Sequence, residues 1–320
     1  MCSVVGYIGK NYCRSFIMEG LSRLEYRGYD SSGFACLDPQ DNRLMYVRSQ
    51  GRLQNLAEKL TQHPLDGHLA VGHTRWSTHG APTEDNAHPQ FDCQKTLSIV
   101  HNGIVENFHE LKEELIAAGH VFYSQTDTEV IAHGLEAILA TTKSLKAAVT
   151  SLVNRLEGAY AFIVIMQDHP DHMIAVRKRS PLCLGVGTDE MYIASDALAF
   201  AGKTKKVLYM PDESFALVRN NTYELYSFAG KPLQTPVEEL HLDWTDNGKM
   251  GHEHFMLKEI YEQKNAIVST VKFYQDISSS IGKHMGLSKE HLKNLENMNL
   301  IGCGTSWHAA RIGQFFFEKV

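Results

Sequence analysis

The chain has 320 residues, 43% of them hydrophobic and 21% charged, with a formal net charge of −6. That is enough for one large or two smaller globular domains, and the acidic balance argues against general affinity for nucleic acid or anionic membrane. No apolar run approaches the ~18 residues of a membrane helix, and the N-terminus lacks the basic and apolar blocks of a signal peptide. The six cysteines, Cys2, Cys13, Cys36, Cys93, Cys183 and Cys303, are scattered and form no CxxC pair. A reducing cytoplasm fits that pattern better than a disulfide framework or a cysteine-based zinc site. His252-Glu253-His254 and His169-Pro170-Asp171-His172 lack the spacing of a metal site, so no metal is expected.

In chain order, Ser3 to Gly9 is apolar, rich in β-branched residues and ended by glycine, which predicts a buried strand. Phe16, Ile17, Leu21 and Leu24 recur at helical spacing and predict a helix over Ser15–Tyr26. A glycine-punctuated loop, Arg27 to Gly33, leads to strands at Phe34–Leu37 and Leu44–Val47, a short helix around Leu53–Leu60 and a strand at Leu69–Gly72. A further strand at Leu97–Val100 ends at His101-Asn102-Gly103, and a helix follows near Phe108–Ala118. Thr126-Asp127-Thr128-Glu129 has the Thr-x-x-Glu form of a capping box, and helices are expected after it and over Leu145–Leu156. From Ala159 to Phe228 the pattern becomes seven short strands. Two runs of strands and two pairs of helices imply an α+β protein with helices outside two stacked sheets. Residues 229–251 are polar and read as a linker; helices resume over Phe255–Ile281 and after Ser288, and an apolar strand at Leu300-Ile301 precedes a last helix, Trp307–Phe317.

The candidate chemistry sits at the ends of these elements. Cysteine at position 2 is small enough for the initiator methionine to be removed. Cys2 would then carry a thiol and a free α-amine, whose pKa of ~7.7–8.0 suits it as the thiol's own base. His73 to Gly80 offers a guanidinium, an indole, hydroxyls and imidazoles in one segment; the planar fork of Arg75 suits a carboxylate, and Trp76 suits a closing lid. Asn102-Gly103 has the composition of an oxyanion hole and equally that of a tight turn. Asp127 is placed to hold an ammonium group or simply to stabilise a helix start. Gly302 to Ser306 joins strand to helix and would suit a sugar phosphate.

Taken together, Met1-Cys2, Glu25 to Ser31, Gly72 to Gly80, Asn86-Ala87-His88-Pro89, His101-Asn102-Gly103 and Thr126 to Glu129 occur in an order that resembles the glutamine–fructose-6-phosphate aminotransferase (isomerizing) family. The likeness covers Cys2 to Tyr226 and continues through Lys258 to Gln263; Lys264 departs from it, where proline is expected. The resemblance implies a four-layer αββα sandwich of the N-terminal-nucleophile type over residues 2–228, a linker at 229–251, and the start of an α/β sugar-isomerase domain over 252–320. It implies that Cys2 attacks the glutamine side-chain amide, with Asn102 and Gly103 holding the oxyanion. Arg75 would bind the α-carboxylate and Asp127 the α-ammonium; Thr78 and His79 would line the pocket, Trp76 would gate the ammonia path and Arg27 would lie beside the nucleophile. Gly304, Thr305 and Ser306 would form part of the sugar-phosphate site. The implied substrates are glutamine and, in a full-length enzyme, fructose 6-phosphate. The implied setting is a cytoplasmic homodimer with no metal or organic cofactor, no nucleic acid and no membrane partner. The family's isomerase residues would lie beyond Val320, so glutamine hydrolysis without sugar isomerisation is expected. The weighed alternatives are a non-catalytic glutamine-binding module and the same domain in an amidotransferase serving phosphoribosyl diphosphate or aspartate. The segments at 258–263 and 302–306 favour the sugar enzyme.

Overall fold

A computed structural model describes residues 2–77, 79–240, 251–278, 282, 285–302 and 304–319. The chain divides into two compact units, residues 1–247 and 248–320.

The first unit is built on two antiparallel sheets. The eight-stranded sheet contains β1 (Ser3–Gly9), β2 (Ser31–Leu37), β3 (Leu44–Gln50), β4 (Leu69–Arg75), β9 (Cys183–Val186), β10 (Glu190–Ala194), β11 (Lys206–Tyr209) and β14 (Glu238–Glu239). Their order is β14-β11-β9-β10-β1-β4-β2-β3. The six-stranded sheet contains β5 (Gln90–Phe91), β6 (Leu97–Val105), β7 (Gly158–Met166), β8 (Met173–Lys178), β12 (Ser214–Val218) and β13 (Tyr223–Ser227), in the order β13-β12-β8-β7-β6-β5. Helices α1 (Arg14–Leu24) and α2 (Leu53–Gln62) cover the first sheet; α3 (Phe108–Ala117), α4 (Glu129–Leu139) and α5 (Leu145–Val153) cover the second.

The apolar run of β1 after Ser3 follows from burial on both faces. Val4 and Ile8 point into the core between the sheets, against Ile163, Ile165 and Met173, while Val5 and Tyr7 pack beneath α1 on Phe16, Ile17 and Leu21. The sheets approach closely at Gly6, where a β-carbon would lie 2.7 Å from Met173 Sδ. A third apolar cluster fills the space between the second sheet and α3–α5, with Ile99, Phe162 and Val164 meeting Leu115, Ile131 and Leu152. The layering is therefore helix, sheet, sheet, helix.

Three local expectations are corrected. Asn102-Gly103 is not a turn: β6 continues to Val105, with Asn102 opposite Ala161 and Gly103 opposite Tyr160 on β7. Thr126 does not cap α4, which begins at Glu129; the Glu129 carboxylate accepts the N–H groups of Tyr123 and Ser124 and the Ser124 hydroxyl at 2.7–2.8 Å. Leu300-Ile301 forms no strand, since no strand among the described residues of the second unit offers it a ladder, and Ile301 is 94% exposed. Among its described residues the second unit has α6 (Phe255–Asp276), α7 (Lys289–Lys293) and α8 (Thr305–Phe317). β14 pairs with Lys206 and Val207 and lies within the stretch read from the sequence as linker.

Candidate active site

β1 and β4 pair with Ser3 opposite Thr74 and Val4 opposite His73. This register sets Cys2, just before β1, against Trp76, just beyond β4. The Cys2 sulfur accepts the Trp76 N–H at 3.2 Å, and its thiol donates to the Trp76 carbonyl at 3.4 Å. Burial raises the pKa of this thiol above its ordinary value, opposed by the Trp76 N–H and the charge of Arg75. Such a thiol is protonated at neutral pH and needs a base.

The second sheet supplies Asn102. Its Nδ2 donates to the Cys2 carbonyl at 3.1 Å, and its Oδ1 lies 3.1 Å from His73 Nε2, which is also 2.9 Å from the His101 carbonyl. Both neighbours of that ring nitrogen are acceptors, so His73 carries its proton on Nε2 and fixes the orientation of the Asn102 amide. An amide NH2 has two hydrogens; one is used on Cys2 and one is left for a ligand. Behind Asn102 lies a buried polar knot. The His73 and His88 rings are 4.1 Å apart, and His88 Nε2 and His101 Nδ1 each lie 2.8 Å from the Thr128 hydroxyl. Burial pushes His73 down to about 3 and depresses His88 and His101 as well, so all three are neutral. Gly103 has φ +118°, and a β-carbon there would lie 2.1 Å from the Ala159 carbonyl, so only glycine fits this kink of β6.

Arg75 is buried, and its guanidinium donates to the backbone carbonyls of His79, Gly80 and Ala81. It thereby holds the loop after β4 folded back, while feeling the charges of Asp30 and Asp127. Asp127 is anchored by one oxygen, which accepts the Val105 N–H at 2.8 Å; its other oxygen lies 4.0 Å from His79 Nδ1. Asp30 completes the floor, accepting the Ser77 N–H and donating its own N–H to the Arg75 carbonyl at 3.0 Å. The Trp76 indole is half exposed and meets Tyr29 edge-on at 5.7 Å.

Cys2, Arg75, Trp76, His79, Asn102, Gly103 and Asp127 thus belong to one neighbourhood at the strand ends. Arg27 is directed to the Ser195 carbonyl (3.4 Å) and Asp196 (3.5 Å). Thr78 lies outside the described residues, as do Met1 and Cys303. Gly304 (φ +58°) is the N-cap of α8, whose first residues are Thr305 and Ser306; all three belong to the second unit. His73, Thr128 and Asp30 were not singled out from the sequence. The available signal was polar residues in or beside apolar strands, His73 ending Leu69-Ala70-Val71-Gly72 above all.

Residues 73–205 match the glutamine amidotransferase domain family. The whole chain is 40% identical to glutamine–fructose-6-phosphate aminotransferase [isomerizing] of Thermosynechococcus vestitus and 41% identical to that of Thermococcus kodakarensis. In each case it covers 52% of the relative, so the chain spans about half the length of the curated relatives it matches. Among solved structures, glutamine phosphoribosylpyrophosphate amidotransferase from B. subtilis, complexed with ADP and GMP, superposes with a TM-score of 0.62 at 26% identity, over 71% of this chain and 49% of that one. The chain is thus similar, along its full length, to the N-terminal region of the glutamine–fructose-6-phosphate aminotransferases, with a match to the glutamine amidotransferase domain family over residues 73–205.

Proposed function

We propose that this chain is the ammonia-supplying half of a glutamine–fructose-6-phosphate aminotransferase and that Cys2 is its nucleophile. With Met1 removed, the Cys2 α-amine takes the thiol proton as sulfur attacks the side-chain carbonyl of glutamine. The oxyanion formed is held by the spare Asn102 amide hydrogen and the Gly103 N–H. Collapse of the intermediate expels ammonia, which leaves with the proton held by the amine, and a γ-glutamyl thioester remains on Cys2. Water attacks the thioester, glutamate departs, and the thiol regains its proton. Arg75 exchanges loop carbonyls for the substrate α-carboxylate, and the free oxygen of Asp127, beside His79, takes the α-ammonium. Trp76 guards the exit for ammonia and Arg27 braces the strand end behind Cys2, and the family resemblance assigns Thr78 to the glutamine pocket.

The observation that carries this reading is the seating of Cys2 between Trp76 and Asn102, with the Asn102 amide 3.1 Å from the Cys2 carbonyl. The full-length likeness, which runs through residues 251–320, favours the sugar enzyme over other amidotransferases. Fructose 6-phosphate is then the ammonia acceptor of the longer enzyme, a cytoplasmic homodimer, with Gly304, Thr305 and Ser306 contributing to its phosphate cradle at the start of a sugar-isomerase domain.

Intact-mass analysis is expected to find a chain beginning at Cys2, and the protein is expected to release ammonia from glutamine, an activity that Cys2→Ala abolishes. Retention of Met1 in an active protein, or ammonia release from the alanine variant, would refute the mechanism.

A further inference from the structure

Three segments distant in sequence converge on the outer side of the second sheet: the turn after β5, the connection between α3 and α4, and α4 itself. They bring together Cys93, His120, His133 and Glu136, whose ligand atoms all lie within 4.8 Å of one another. Cys93 Sγ is 3.4 Å from His120 Nδ1 and 3.5 Å from His133 Nδ1; Glu136 Oε2 is 2.9 Å from the first nitrogen and 3.2 Å from the second. A tetrahedral zinc ion bonds sulfur at ~2.3 Å and nitrogen or oxygen at ~2.0–2.2 Å, which sets its ligands roughly 3.3–3.6 Å apart. Four of the six pairwise separations therefore fall within about 0.5 Å of that cage, and the other two lie within 4.8 Å.

We propose that Cys93, His120, His133 and Glu136 form a binding site for a divalent transition metal of the zinc type. A thiolate, two imidazoles and a carboxylate suit zinc and exclude a preference for calcium or magnesium, which take all-oxygen ligands. The surroundings are those of a built site. The His133 side chain is fully buried; its Nδ1 faces the cluster and its Nε2 faces Glu129 Oε1 at 3.5 Å, the carboxylate–imidazole relation that orients a metal-bound histidine. Glu129 is in turn fixed by the Ser124 hydroxyl and two backbone N–H groups. His120 and Glu136 are partly exposed, which leaves an entry path. The ion would be structural, tying the β5–β6 turn to α4, whose first turn follows Asp127 and Thr128. The competing state is a hydrogen-bonded knot, in which Glu136 Oε2 takes both imidazole N–H groups and the Cys93 N–H at 3.3 Å.

The test is titration of metal-stripped protein with cobalt(II), in a Cys2→Ala background so that the terminal aminothiol does not contribute. One equivalent is expected to produce visible d–d bands of tetrahedral intensity and a near-ultraviolet thiolate-to-cobalt charge-transfer band, both erased by one equivalent of zinc. Adding Cys93→Ser is expected to remove the charge-transfer band. Adding His120→Ala is expected to weaken cobalt binding at least tenfold with an unchanged far-ultraviolet dichroism spectrum. No charge-transfer band, one that survives Cys93→Ser, or binding undiminished in His120→Ala would overturn the proposal in favour of the knot.

Discussion

His73 does its work by being neutral. Its Nε2–H holds the Asn102 oxygen, and that contact decides which end of the amide faces Cys2. Its folded pKa of about 3, against 6.5 unfolded, reflects burial first. In the window between those values the unfolded chain binds a proton that the folded chain refuses. The contribution to stability is therefore complete above pH 6.5 and is lost as pH falls toward 3, on the order of 5 kcal/mol for His73 alone. His88 and His101, also depressed by burial, add to the same slope. Urea unfolding across pH 7 to 4 is expected to show the wild type losing stability faster than His73→Gln, which has one titrating group fewer. Equal losses would mean that His73 is not a source of acid lability.

At the scale of elements, the bend in β6 is what sets the proposed oxyanion donors at the strand's edge. Gly103 keeps its ladder position opposite Tyr160 while adopting φ +118°. Gly103→Ala is expected to destabilise the protein by roughly 2–4 kcal/mol through strain and the clash with Ala159, and to cut ammonia release further than the remaining folded fraction accounts for. A thermal melt and an assay of the folded protein separate the two effects. β6 also marks where the sequence stops being informative. Apolar patterning located β1, α1 and the helix around Leu111 closely, because each is either buried throughout or buries one regular face. It ended β6 at Val100, because His101, Asn102 and Gly103 are polar or flexible residues that read as a loop; they are buried or extended only because β7 supplies a partner ladder. The Thr126–Glu129 pattern misled for a related reason. The Asp127 and Glu129 carboxylates are drawn to Val105, Tyr123 and Ser124, tertiary and loop donors that no local motif reveals. Cys2, Arg75, Asn102 and Asp127 were legible as chemistry, but Arg75 as a clamp on its own loop, and the histidines behind Asn102, needed the register of β1, β4 and β6.

For the whole molecule, burial is distributed unequally between the two units. The first holds three apolar clusters layered between helix, sheet, sheet and helix. In the second, α6 carries Ile267, Val268, Val271 and Phe273 at 49–62% exposure, and α8 carries Trp307, Ile312, Phe315, Phe316 and Phe317 at 50–63%. A helix of 13 residues, such as α8, draws little stability from its backbone alone and depends on a packed face. Local opening of α6 and α8 is therefore expected to cost far less than unfolding of β1, β6 or β7. Native-state amide exchange is expected to find the central strands protected to the level of global unfolding and α6 and α8 exchanging orders of magnitude faster. If the helices proved as protected as the strands, their apolar faces would have to be covered in solution by another surface, and a dependence of that protection on protein concentration would identify the cover as a second copy of the chain.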